Sequence, residues 1–118
     1  MNTMTRRFDD PDEELTMPLG RFQRVVLGGM TIGRAEYEPG WVWSEHVGRE
    51  RGQELCEVAH VGLVVTGRNL VTFRDASTLE MGPGDLFDIP PGHDSAVIGD
   101  ERYVSLHFLG AESYAARR

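Results

Sequence analysis

The chain has 118 residues and a formal charge of -7, a size that fits one domain with a single core. Its acidity, with no dense basic patch, argues against a nucleic-acid binder, and no apolar run approaches the roughly 20 residues of a membrane span. One cysteine, Cys56, leaves no intramolecular disulfide framework and suits a reducing compartment.

The 14 glycines and 6 prolines are scattered among short apolar runs rather than gathered into a linker, the distribution of an all-β domain. No apolar leader opens the chain, so the expected location is cytoplasmic. Residues 1–19 are polar and acidic, with Asp9, Asp10, Asp12, Glu13 and Glu14 around Pro11. They predict an extended or partly disordered arm of the kind that covers an edge strand, ahead of a domain over 20–118. RFQRVVL and MTIGRAEYE read as two strands joined by a Gly28-Gly29 turn. Pro39-Gly40 breaks the second strand, and WVWSEHV is expected to begin another, placing Trp41, Trp43 and Glu45 on one face and Val42, Ser44 and His46 on the other.

GRERGQ is charged and loop-like, and Cys56 to Thr66 then forms the most hydrophobic run, a central strand. Within it Cys56, Val58, His60, Gly62 and Val64 share one parity. Gly67 turns into the strand RNLVTFRD, and STLEM is a short strand after it. Met81 to Asp94, MGPGDLFDIPPGHD, organises the rest: a Gly-Pro-Gly-Asp turn, a strand over Leu86 to Ile89, a Pro90-Pro91-Gly92 corner, and His93 at once. Prolines cannot donate to a strand ladder and so belong at the corner, which aims the imidazole that follows. SAVIGD and RYVSLHFL close the strand set, and GAESYAARR is expected to form a short C-terminal helix with arginines at its end. Nine to eleven short strands at this spacing predict a sandwich or closed barrel.

At this point the chain resembles the cupins, small jelly-roll β-barrels. Gly84, Pro90 and Gly92 match the first fixed positions of the second cupin motif, whose metal histidine falls on Ser95 and whose asparagine falls on Gly99. His93 lies two residues before Ser95, with the same strand parity. For the first motif two registers exist. One takes Gly40 and His46 at its start and His60 and Gly67 at its end; the other takes Gly48, Glu54, Cys56, His60 and Gly67, keeping every spacing but replacing all three ligands. The first is preferred, because Pro39-Gly40 followed by a strand carrying His46 looks like the usual start of a cupin barrel. The resemblance covers about residues 20 to 110 and implies a single-domain cupin double-stranded β-helix barrel, homodimeric, with a metal inside.

On that resemblance His46, His60 and His93 come from separate strands or corners and converge on one cavity. Imidazole suits Zn, Fe, Ni and Cu, and three such ligands with open positions make a reactive site for a divalent ion, Mn included among the expected metals. Cys56 is a secondary candidate, whose thiolate would shift the preference to zinc; its other reading is a small buried hydrophobe. Glu45 and Glu54 are further oxygen donors or solvated side chains. His107 lines the cavity only if Val104, Leu106 and Phe108 face outward. Trp41 and Trp43 read as core or interface residues. No nucleophile elbow or phosphate loop is present. Three functions stay open: metal-dependent oxygenase- or isomerase-type chemistry on a small organic molecule, non-catalytic binding or sensing of a small ligand, and a metal-free barrel.

Overall fold

The computed structural model describes residues 4–114. Nine strands run through them: β1 (Glu13–Met17), β2 (Gly20–Leu27), β3 (Met30–Tyr37), β4 (His60–Thr66), β5 (Arg68–Phe73), β6 (Thr78–Met81), β7 (Leu86–Ile89), β8 (His93–Ile98) and β9 (Tyr103–Leu109). They form two antiparallel sheets, one in the order β1-β2-β3-β9-β4-β7 and one in the order β6-β5-β8. This is the all-β, two-sheet architecture that the strand spacing predicts, in the jelly-roll form that the resemblance implies.

The β2–β3 hairpin shows how the sequence sets the register. Leu27 faces Met30 across a two-residue turn, and that turn needs positive φ at both positions, which Gly28 (60°) and Gly29 (76°) supply without a Cβ penalty. With the register fixed, Phe22, Ala35 and Tyr37 fall on the inner face, where they join Val64, Val71, Phe87, Ile89, Val97 and Tyr103 in one core. Part of the arm is extended: after a turn at Phe8–Asp10, β1 pairs along β2 from Glu13 opposite Arg24 to Met17 opposite Gly20. It covers the edge of the larger sheet, as such arms do.

One expectation changes. WVWSEHV is not a strand. Only Val42 makes an isolated bridge, to Ala96, and the chain then coils into a π-helical turn, Ser44–Gly48, running into a single α-turn, Arg49–Arg51. The carboxylate of Asp94 accepts from the Ser44 backbone N–H at 2.9 Å and from its hydroxyl at 2.7 Å, holding the start of this turn. Trp43 and Val47, four residues apart, bury the same helical face. At the other end, β9 stops at Gly110 (φ 90°), and the Tyr114 N–H donates to the Gly110 carbonyl at 2.9 Å to close one turn. The remainder of the expected C-terminal helix, 115–118, lies outside the described residues.

That closing turn is pinned from inside. The buried Arg24 side chain donates to the carbonyls of Ala111 and Tyr114 and pairs with Glu13. The Tyr37 and Tyr114 hydroxyls are 2.8 Å apart. Tyr114 thereby caps one end of the barrel with its ring against Phe22 and His60.

Candidate metal centre

The Pro90-Pro91-Gly92 corner delivers His93 beside Cys56 through the backbone. The Cys56 N–H donates to the His93 carbonyl at 2.7 Å, and the N–H groups of Gly92 and His93 donate back to the Cys56 carbonyl at 2.8 and 3.2 Å. Paired residues of an antiparallel bridge present their side chains on one side. His60 opens β4 four residues after Cys56 and faces Ile89 of β7, the strand that leads into the corner. One ligand atom from each of Cys56, His60 and His93 lies within 4.8 Å of the other two, and all three residues are buried.

One of these separations matches that expected across a transition-metal ion. Bond lengths of about 2.3 Å to sulfur and about 2.0–2.1 Å to nitrogen at a tetrahedral angle put the two ligand atoms about 3.6 Å apart. Cys56 Sγ and His60 Nε2 are 3.6 Å apart. His93 donates from Nδ1 to the Pro90 carbonyl at 2.7 Å, which fixes the tautomer and leaves Nε2 its lone pair. Burial, with the neighbouring His107 and His93, pushes the His60 pKa down to about 2, and burial also lowers that of His93, so both rings are neutral donors. Burial raises the Cys56 thiol to about 11, so a cation is what would hold it as thiolate.

Behind the histidines lies a cavity of about 40 Å³. His60, His93 and His107 line it together with Tyr37, Trp41, Trp43, Asn69 and Tyr114. His107 is buried, 3.0 Å from the Ser105 hydroxyl, and burial lowers its pKa to about 4. The condition set for it is met only in part: Phe108 is exposed and Leu106 half-buried, but Val104 is buried as well. Ser95, at the second-motif metal position, also lines the cavity.

His46 is not brought to this group. It sits on the helical turn, where its Nδ1 accepts from the Val42 N–H at 2.9 Å. The first-motif register through Gly48, Cys56 and His60 is therefore the one that follows the geometry, not the register through His46. Glu45 and Glu54 are exposed and border a separate surface groove. Asn69 and Tyr114 were not signalled as cavity residues by motif spacing. Asn69 shares the parity of buried Val71 in β5, and a polar residue at an inward position is the mark that could have revealed it.

Three solved structures set the fold in context. A Rhizobium leguminosarum protein of unknown function is similar over 91% of this chain and 95% of its own, at 23% identity and a TM-score of 0.57. A cupin-2 domain from Rhodospirillum rubrum is 16% identical over 91% of this chain and 75% of its own, with a TM-score of 0.60. A cupin 2 domain-containing protein from Halorhodospira halophila is 24% identical over 78% of this chain and 64% of its own, with a TM-score of 0.57. No family profile and no curated protein matches the sequence. The chain has the fold of a small cupin.

Proposed function

We propose that this protein binds a divalent transition-metal ion through Cys56, His60 and His93 and uses it to hold or activate a small molecule inside the barrel. The observation that carries the reading is the clustering of these three buried ligand atoms within 4.8 Å. One thiolate and two imidazoles favour zinc among the expected metals, and a three-ligand zinc site keeps a coordination position for water or substrate. Such an ion supplies Lewis-acid polarisation of a bound oxygen. That favours isomerase-type or hydrolytic chemistry over oxygenation. A reduced Cys56 is consistent with the cytoplasmic location proposed.

The size of the cavity favours a second reading, binding or sensing without turnover: about 40 Å³ holds about three waters, far less than an ordinary substrate pocket. A homodimer is proposed on the exposed apolar residues of the larger sheet, led by Leu86, which pairs with Leu63 beside Leu106. Light scattering of the purified protein checks it.

Cobalt substitution tests the metal reading. Cobalt(II)-loaded protein is expected to show an intense thiolate-to-metal charge-transfer band that disappears in Cys56→Ser. A spectrum unaltered by that substitution contradicts the ligand set.

A further inference from the structure

The donor set at Cys56, His60 and His93 suits more than one ion. Soft sulfur ligands select copper(I) as well as zinc, and imidazole suits both metals. Cys56 is 2% exposed and His60 and His93 are each 4% exposed, so the group is nearly closed off from bulk water. Among the described residues no fourth histidine, cysteine or carboxylate joins it. Copper needs no fourth donor, because one thiolate and two imidazoles already make a trigonal copper site. At trigonal angles, bonds of about 2.3 Å to sulfur and about 2.0–2.1 Å to nitrogen separate the two atoms by about 3.7–3.8 Å. Cys56 Sγ and His60 Nε2, 3.6 Å apart, admit that arrangement as well as a tetrahedral one.

Charge separates the two metals. Zinc(II) with one thiolate and two neutral imidazoles carries one net positive charge, whereas copper(I) with the same ligands carries none. A buried net charge is costly unless water or an opposite charge meets it. No arginine, aspartate or glutamate lines the cavity behind the histidines. The carboxylates next to the ligands in sequence are engaged outside it. Glu57 pairs with Arg74 at 2.7 Å, and Asp94 accepts from the N–H and hydroxyl of Ser44 and from the Ser95 N–H. These surroundings suit a neutral centre better than a cationic one.

We propose that the site takes copper(I) in preference to zinc and holds it three-coordinate through Cys56, His60 and His93. As the copper–sulfur bond forms, the Cys56 thiol gives its proton to solvent: one copper(I) ion enters, one proton leaves, and the site stays neutral. The inference rests on the three-ligand reading above, in which zinc is the favoured divalent ion, and adds a monovalent competitor. Its consequence for that reading is regulatory. Copper(I) leaves no coordination position for a small molecule, so copper closes the centre that zinc keeps open.

Competition between the two ions tests the proposal. Full-length protein is loaded with zinc, its zinc content is measured, and copper(I) buffered by a chromogenic chelator is added without oxygen. About one equivalent of copper is expected to enter and about one equivalent of zinc to appear in the filtrate. X-ray absorption at the copper edge should show sulfur and nitrogen donors in a three-coordinate shell. Cys56→Ser should weaken copper(I) at least about a hundredfold, and zinc by less, reversing the preference. His46→Ala, outside the group, should behave as the parent. Protein that keeps its zinc and takes no copper overturns the copper inference alone, as does a four-coordinate copper shell. Copper held equally well by Cys56→Ser overturns the thiolate ligand on which both readings depend. Protein that takes up neither ion overturns the metal reading and this one together.

Discussion

At the scale of the residue, position in the fold decides what each polar side chain can do. Arg24 is the clearest case: it is 6% exposed and spends its guanidinium on Glu13 and on two carbonyls of the closing turn. Arg24→Met keeps much of its volume but leaves those buried carbonyls without a donor, so a loss of about 2–4 kcal/mol is expected in urea unfolding. A loss under about 0.5 kcal/mol would mean that the turn is held by other contacts. His60 and His93 were candidates in the sequence through the cupin resemblance, and Cys56 was a secondary one beside its reading as a small buried hydrophobe. The strand expected to run from Cys56 begins only at His60, so shared parity was not what brings the two together. His46 was misplaced, because its parity was reckoned on a strand. On a helical turn, side-chain direction follows a different period, and the ring ends on the Val42 backbone instead of in the barrel.

At the scale of the element, the hairpins were readable because turn glycines and alternating apolar residues agree, as they do from Arg21 to Glu38. The segment from Trp41 to Val47 misled because aromatic and β-branched residues favour strands in general. The contrary signal is the i, i+4 pair Trp43 and Val47, followed by Gly52 in the left-handed conformation that ends the helical stretch (φ 67°). The C-terminal turn lays the Tyr114 ring against His60 at the site. A Cβ at Gly110, already at φ 90°, would collide with the Ala59 carbonyl oxygen, so Gly110→Ala must displace the turn and the Tyr114 ring with it. In both Gly110→Ala and Tyr114→Ala, the metal-free protein should react with a thiol reagent at Cys56 at least about tenfold faster than the parent, by local rather than global opening. Unchanged labelling rates would show that Cys56 is reached by another route.

At the scale of the whole molecule, two sheets enclose the site while ion pairs ring the outside. Burial would raise the pKa of Glu36, but Arg21, at 2.6 Å, with Arg34 and Arg102, each at 3.5 Å, holds it below its ordinary value of 4.5. A carboxyl depressed in the folded state stabilises above its unfolded value and loses that contribution as the pH falls through the folded one. Glu36→Gln is therefore expected to cost about 1 kcal/mol at neutral pH and to flatten the decline of stability below about pH 4.5; parallel acid profiles for variant and parent would contradict this. The architecture was legible at this scale because glycine, proline and short apolar runs all point to a barrel, whereas the contents of the barrel depend on contacts between distant strands. The central claim concerns those contents, and elemental analysis of purified, tag-free protein tests it most directly. About one equivalent of metal is expected in the parent and in His46→Ala, with little in His60→Ala or His93→Ala; metal retained in His60→Ala, or none in the parent after growth in supplemented medium, would contradict the account.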